Sequence, residues 1–143
     1  MRRVSLQTMI AAFGLIVAAA DGRTVWDGVY TDAQAKRGEK IYADACAKCH
    51  TDTLLGDGTA TALTGTGFAA NWDGVSLAEL VERTRNTMPD DDPGTLSRQQ
   101  VADVIAFVLK FNKFPAGLAE LATQAEALNQ IKFVVTKPDG TGR

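Results

Sequence analysis

The sequence predicts an all-α domain with about three main helices, as three observations indicate. Three segments begin with a capping box, in which Ser or Thr is followed three residues later by Gln or Glu. Each box precedes residues of helical composition, and a proline follows two of the three segments. No segment gives a confident strand pattern, in which apolar and polar residues alternate.

The first two predicted helices begin at Thr31 and Ser76. Thr31-x-x-Gln34 opens AQAKRGEKIYADACAKC, and Ser76-x-x-Glu79 opens LAELVERTRN. Pro89 lies just beyond the second helix, where it prevents continuation. Both segments therefore have a defined start, and the second also has a defined stop.

The third predicted helix begins at Ser97 and ends before Pro115. Ser97-x-x-Gln100 opens QVADVIAFVLKF, whose apolar residues recur at 3.6-residue spacing. We expect this stripe to be buried; its members are Val101, Val104, Ile105, Val108 and Leu109.

A segment rich in Gly and Thr separates the first two helices and reads HTDTLLGDGTATALTGTGFAANWDG. A loop of this length without secondary structure is uncommon in a compact domain. The chain is also small and Gly-rich for building a large core by itself. Both features are explained if a large apolar cofactor fills the centre and the loop wraps around it.

The N-terminus has the pattern of a secretory signal peptide. Arg2 and Arg3 precede an apolar run, Met9 to Ala20, which ends in an A-x-A cleavage site. A membrane-spanning helix needs about 20 apolar residues, and this run is shorter. We therefore expect residues 1–20 to be removed on export, with no stable membrane insertion afterwards.

Net charge makes nucleic acid an unlikely class of partner. The full chain carries a formal charge of −2, and loss of Arg2 and Arg3 would make it −4. No basic stripe remains that could follow a phosphate backbone.

The stretch CAKCH, residues 46–50, contains both cysteines and the only histidine of the chain. Two cysteines at i and i+3 on a helix present their thiols on one face, with Cβ atoms about 5–6 Å apart. C-x-x-C-H is the attachment signature of c-type haem. Cys46 and Cys49 would form thioethers with the haem, and His50 would bind its iron.

Three other interpretations of CAKCH are weaker. A zinc site needs four ligands, and the chain has only three cysteines and histidines in total. A thioredoxin-type redox pair needs a βαβ setting that the sequence lacks. A structural disulfide would explain neither His50 nor the long loop.

Met88 is the candidate for the second axial ligand of the iron. The chain has no second histidine, and Met1 and Met9 lie in the predicted signal peptide. Met88 precedes Pro89, which favours an extended backbone in a polar loop. Methionine is more often core filler, but a polar loop has little core to fill. A lysine replacing Met88 is a minor alternative, mainly at high pH.

These segments resemble the class I cytochromes c, specifically the small mono-haem bacterial type exported to the periplasm. The resemblance covers nearly all of residues 25–117 and rests on VWDGVYTDAQAKRGEKIY, CAKCH, LTGTGFAANWDG, TMPDDDPGTLS and VADVIAFVLKFNKFPAG. It implies a cytochrome c domain over 21–117, in which the N-terminal and C-terminal helices cross at one edge of a covalently attached haem. Residues 118–143 are then an extension packed on this domain, ending in a mobile tail.

Two residues bear on that implied architecture. Gly38 costs about 1 kcal/mol relative to Ala inside a helix, and a close helix crossing near Tyr42 and Phe107 would justify it. The resemblance also implies that Trp72 donates its indole N–H to a haem propionate. An apolar plug beside Phe68 is the alternative role for Trp72.

One departure from the family concerns the partner of the haem-binding histidine. Family members usually carry a proline after C-x-x-C-H, whose carbonyl accepts the imidazole N–H, but no proline lies between Cys49 and Met88. Thr59 to Ala62 is the nearest corresponding stretch, and any backbone carbonyl there could accept the bond.

Ligation by histidine and methionine leaves the iron no open position, which predicts a one-electron carrier rather than an enzyme. Its expected partners are transient redox proteins, such as a periplasmic dehydrogenase and a terminal oxidase.

The aspartates 90–92 form either a solvated turn or a docking rim for a basic partner. Alternatives are a haem subunit of a dehydrogenase complex, docked through residues 118–131, and a haem sensor or minor peroxidase with a labile Met88.

Overall fold

A computed structural model describes residues 22–139 of the 143-residue chain. The predicted signal peptide, residues 1–20, lies outside the described residues, and so does the end of the expected tail, residues 140–143. Within 22–139, none of the helices is both long and apolar enough to cross a lipid bilayer.

The described part of the chain is mostly helical, which confirms the all-α class. In chain order its elements are β1 (Arg23–Thr24), α1 (Asp32–Ala45), α2 (Ala47–His50), α3 (Gly65–Trp72), α4 (Leu77–Thr87), α5 (Arg98–Phe111), α6 (Ala125–Leu128) and β2 (Ile131–Lys132). The three predicted main helices are α1, α4 and α5. The strands β1 and β2 pair in parallel and were not predicted, because two residues are too few to show an alternating pattern.

All three predicted capping residues cap a helix. The Thr31 hydroxyl accepts the backbone N–H of Gln34 (3.1 Å) at the start of α1. Ser76 accepts the N–H three residues later at the start of α4 (3.4 Å). At α5 the box is reciprocal, since Gln100 N–H donates to Ser97 (3.2 Å) and Ser97 N–H donates to the Gln100 side chain (2.9 Å). These bonds satisfy N–H groups that a helix start leaves unpaired.

Helices α1 and α5 cross at Gly38. A Cβ added to Gly38 would lie 1.8 Å from the carbonyl oxygen of Asp103 in α5. One turn further along α1, the rings of Tyr42 and Phe107 pack with their centroids 5.1 Å apart. The predicted crossing is confirmed, and it requires a residue without a side chain at position 38.

Helix α5 is buried on more than the predicted stripe. All five members of the stripe are buried, and so are Ala102, Asp103 and Ala106. The Asp103 carboxylate accepts two hydrogen bonds from Arg37 (both 3.0 Å) and one from Gln99 (2.8 Å). A buried carboxylate is tolerated when it is paired in this way.

The segment between α2 and α4 contains a helix that the sequence did not predict. Helix α3 covers Gly65–Trp72, and its buried residue Phe68 packs edge-on against Phe133 (centroids 5.8 Å apart). A partner distant in sequence thus stabilises this helix, although Gly and Thr weaken its intrinsic propensity. The rest of the segment, residues 51–64, is an irregular loop.

The C-terminal segment, residues 118–139, packs on the domain but is helical only in α6. Its apolar residues recur at roughly helical spacing, and Leu121, Leu128 and Ile131 are buried whereas Leu118 is fully exposed. Before α6, the backbone of this segment forms two hydrogen bonds with the Gln34 side chain of α1. The Gln34 amide donates to the Leu121 carbonyl (3.1 Å), and its oxygen accepts the Leu121 N–H (2.6 Å). These contacts replace the helical bonds that the apolar spacing suggested.

Candidate cofactor site

The residues Cys46, Cys49 and His50 lie where α1 gives way to α2. Cys46 separates the two helices, with a φ of −117° in place of the helical value near −63°. The sequence predicted one continuous helix here, whereas the structure has a break at Cys46 and places the last four residues of CAKCH in α2. The Cys46 carbonyl accepts the N–H groups of both Cys49 (3.1 Å) and His50 (2.9 Å).

The two cysteines are free thiols in different surroundings. Cys46 is partly buried and Cys49 is exposed. Burial raises the pKa of the Cys46 thiol to about 11, and the Lys48 ammonium offsets only part of this rise. No disulfide joins them, and no group of three or more His, Cys, Asp or Glu side chains within 22–139 is arranged to hold a metal ion directly. The disulfide and zinc interpretations therefore gain no support.

The imidazole of His50 is oriented by a backbone carbonyl. His50 is 8% exposed, and its Nδ1 lies 2.8 Å from the carbonyl oxygen of Thr61. A carbonyl can only accept, so Nδ1 carries the proton and Nε2 keeps its lone pair. Thr61 belongs to the stretch that corresponds to the usual proline, and it supplies the acceptor that this proline would provide.

The turn before Thr61 is held by an aspartate that the sequence analysis missed. Asp57 Oδ1 accepts the backbone N–H groups of Thr59 and Ala60, both at 2.9 Å. The N–H groups of Ala60 and Thr59 keep the pKa of this carboxyl below its usual range. Asp followed by Gly is a common turn signal, and it could have indicated this side-chain-to-backbone turn.

Further hydrogen bonds close the loop 51–64 at both ends. Tyr42 donates its hydroxyl to the Thr51 carbonyl (2.7 Å), and Gly56 N–H donates to the His50 carbonyl (3.0 Å). At the far end, the Asn112 amide donates to the Leu63 carbonyl (2.9 Å). The Thr61 carbonyl is thus carried by a loop that α1 and the end of α5 both hold.

Met88 directly follows α4, and the loop after it contacts α2. The backbone of Met88 is extended (φ −124°, ψ 149°), as the following proline predicted, and its side chain is partly buried. Three residues later, Asp91 forms an ion pair with Lys48 of CAKCH. This pair, which the sequence analysis missed, connects the segment that carries Met88 to the segment that carries His50.

The Lys48–Asp91 pair also affects the charge of aspartates 90–92, which form either a solvated turn or a docking rim. Lys48 holds the pKa of the Asp91 carboxyl below its usual range, and Asp91 raises the pKa of Lys48. One of the three aspartates in residues 90–92 is therefore already matched by a cation of this chain.

Trp72 ends α3, and its half-buried ring packs against the core. The other tryptophan, Trp26, donates its indole N–H to the Val134 carbonyl (2.8 Å). Trp26 is thus committed to a contact within the chain, which leaves Trp72 as the tryptophan to consider for a cofactor.

The donor set agrees with the chemistry of a covalently attached haem. Two free thiols lie three residues apart in the chain, as the attachment motif requires, and the adjacent imidazole donates from Nδ1, which leaves Nε2 as the nitrogen for a metal. A ligating histidine usually donates its other N–H to a carbonyl or carboxylate, as His50 does. The residues present therefore fit this group.

Comparison with known proteins gives one family match. The family model described as subunit III of cbb3-type cytochrome c oxidase matches residues 33–108, which is more than half of the chain. The matched residues include CAKCH, Thr61, Met88 and most of α1 and α5. The comparison with curated proteins and the comparison with solved structures give no match.

Proposed function

The chain belongs to the cytochrome c family represented by subunit III of cbb3-type cytochrome c oxidase, and from this premise we propose that it is a periplasmic one-electron shuttle. Membership implies an electron-transfer protein with a covalently bound haem c and its iron. Cys46 and Cys49 match the attachment motif of that haem. The proposal concerns the iron ligands, the partners and the location.

His50 and Met88 are the proposed axial ligands. The observation that carries the proposal is the bond from His50 Nδ1 to the Thr61 carbonyl, because it leaves Nε2 free to bind iron. The Lys48–Asp91 ion pair supports Met88, since it connects the Met88 loop to α2. When bound, the haem supplies an iron centre that changes charge by one electron.

Binding of the iron by both proposed ligands would favour electron transfer over reactions that need an open coordination position. His50 and Met88 would both hold the iron, which would leave no open position for O₂ or a substrate. Thioether sulfur favours the reduced state, so the potential is comparatively high. Trp72 is proposed to donate its indole N–H to a haem propionate, for which a donor without an acceptor is suitable.

We further propose the division of the chain and its partners. Residues 1–20 direct export, residues 21–117 form the electron-transfer domain, and residues 118–143 extend it. The partners are a dehydrogenase that supplies electrons and an oxidase or other acceptor that receives them, each bound transiently.

A second candidate function is a haem subunit held permanently in a dehydrogenase complex. Leu118 is fully exposed and Leu55 is 62% exposed, which would suit burial against another subunit. Isolated exposed apolar residues are common on soluble proteins, so the shuttle is favoured. Gel filtration of a native extract separates the two, because a subunit elutes with its complex.

The optical spectrum of the exported, matured protein tests the iron ligands. We expect a haem c spectrum with the weak sulfur-to-iron band in the near infrared. Met88→Ala should abolish that band, whereas the neighbouring control Thr87→Ala should keep it. Persistence of the band in Met88→Ala would exclude Met88 as a ligand. A colourless protein, or a pigment that acidified organic solvent extracts, would exclude a covalently bound haem.

A further inference from the structure

The carbonyl that accepts the hydrogen bond from the His50 imidazole lies at the end of a turn, and the Asp57 side chain holds that turn. The Thr61 carbonyl lies 2.8 Å from His50 Nδ1, and the residues just before Thr61 are bonded to Asp57. No regular secondary structure fixes this carbonyl, because residues 51–64 form an irregular loop. The position of the acceptor therefore depends on the contacts within the loop.

Hydrogen bonds from α1 and the end of α5 hold the ends of the loop, and the turn directly before Thr61 is held by Asp57 and the glycine before it. Asp57 Oδ1 accepts two successive N–H groups at 2.9 Å, which fixes the backbone of Thr59 and Ala60. Gly56 has a φ of +74°, and a Cβ there would lie 2.1 Å from the Ala60 carbonyl oxygen. The turn thus folds back on itself closely, and Thr61 is the next residue along it.

We propose that Asp57 is a positioning residue that sets the reduction potential of the haem by holding the Thr61 carbonyl against His50 Nδ1–H. This inference rests on the proposed function, because it needs His50 as an iron ligand. The accepting carbonyl belongs to a proline in other family members and to Thr61 here, and Asp57 holds the turn that presents it.

The expected direction follows from the hydrogen bond. Donation from Nδ1–H to a carbonyl raises the basicity of the other ring nitrogen as a ligand. A more basic ligand stabilises the oxidised iron, which carries the higher charge. Loss of the Thr61 acceptor should therefore favour the reduced state and raise the potential.

Two variants of Asp57 separate positioning from charge. Asp57→Asn loses the charge but keeps an oxygen at the same place, so the turn and the potential should stay close to wild type. Asp57→Glu keeps the charge but moves the oxygens by one methylene, so the potential should rise. We expect a shift of up to about tenfold in the reduction equilibrium constant, which is about 59 mV for one electron. Asp52→Asn, an exposed aspartate in the same loop, measures the effect of charge alone.

A second readout follows the imidazole directly. In the reduced haem protein, the His50 Nδ1–H should give a downfield NMR signal that exchanges slowly with water. Asp57→Asn should keep this signal, and Asp57→Glu should shift it or speed its exchange. If Asp57→Glu does not mature with haem, Asp57→Ala takes its place with the same expectation.

The outcomes are distinct. The inference is overturned if Asp57→Asn raises the potential as much as Asp57→Glu, because charge would then be the cause. It is also overturned if Asp57→Glu matches wild type in both readouts. A wild-type protein without covalent haem, or with an iron ligand other than His50, contradicts the proposed function instead.

Discussion

Gly38 of α1 approaches Asp103 of α5 so closely that a Cβ at position 38 would stand 1.8 Å from the Asp103 carbonyl oxygen. The atom that would be struck belongs to the backbone, so a side-chain rotation cannot relieve the contact. Gly38→Ala should therefore force the two helices apart. We expect it to lower the free energy of unfolding by about 1–3 kcal/mol or more, the usual cost of overpacking.

Denaturant unfolding of the haem-loaded protein measures this effect, and Gly67→Ala is the matched control. Gly67 also lies in a helix, but nothing lies within 4 Å of a Cβ added there. Its replacement should be neutral or stabilise the protein by up to about 1 kcal/mol, because Ala is the better helix former. Equal effects of the two substitutions would contradict the crossing.

The sequence was informative where local chemistry determines the structure. The side chains that cap α1, α4 and α5 act within three residues, and the buried stripe of α5 follows its own periodicity. Gly38 indicated the crossing because a helical glycine carries a cost that close packing explains. CAKCH indicated the cofactor because three functional groups in five residues have few other uses.

The sequence was uninformative where a distant partner determines the structure. Helix α3 depends on packing of Phe68 against Phe133, and the non-helical backbone at Leu121 depends on the Gln34 side chain. The Lys48–Asp91 pair likewise joins residues that are far apart in the chain. Such contacts leave no periodic pattern, so they require the fold before they can be recognised.

Gln34 of α1 attaches the C-terminal segment to the domain. Its side chain is fully buried and bonds both the N–H and the carbonyl of Leu121. Gln34→Leu leaves both groups unpaired, at about 1–3 kcal/mol for each group that stays buried. Because the segment can open to water instead, we expect faster proteolysis within residues 118–124.

The control Gln130→Leu, at an exposed position, should be cleaved at the wild-type rate. Equal cleavage of all three proteins would show that Gln34 does not hold the segment.

Alkaline pH should weaken the contact between Tyr42 and the loop. Burial, the largest cause, raises the pKa of Tyr42 from 10.0 to about 12, with smaller contributions from Asp52 and from Cys46 while it is a free thiol. The unfolded chain loses this proton at the lower pH, so the contribution of Tyr42 is complete below pH 10. It decreases as the pH rises from 10 towards 12, where the folded protein also titrates.

Denaturant unfolding of Tyr42→Phe over this pH range checks the sign. The variant should be less stable at pH 8, because the Thr51 carbonyl loses its donor, but its stability should fall less steeply above pH 10. The difference from wild type should therefore shrink with increasing pH. Trp26→Phe removes a part-buried hydrogen bond without a titrating group, so its difference from wild type should stay constant. Parallel curves for Tyr42→Phe and wild type would contradict the assignment.

The aspartates 90–92 should affect electron exchange with charged reagents if they border the exposed haem edge. Replacing all three with Asn should slow reduction by a small cationic complex, such as hexaammineruthenium, and weaken its dependence on salt. In the wild-type protein Lys48 balances Asp91, so Asp90 and Asp92 carry the net negative charge of this loop. Stopped-flow rates at several ionic strengths measure this, with Glu126→Gln as an exposed control. An unchanged salt dependence in the triple variant would leave these residues as an ordinary solvated turn.

The strength of the proposed Met88 bond decides between a carrier and a sensor. A firmly bound Met88 should keep CO from the reduced protein at neutral pH, whereas Met88→Ala should bind CO readily. Lys48→Gln removes the ion pair between α2 and the Met88 loop, and it should increase CO binding, but less than Met88→Ala does. High salt should act on wild type in the same direction, because the pair is exposed and is screened. Rapid and complete CO binding by the wild-type protein would favour the sensor, since it would show that Met88 leaves the iron readily.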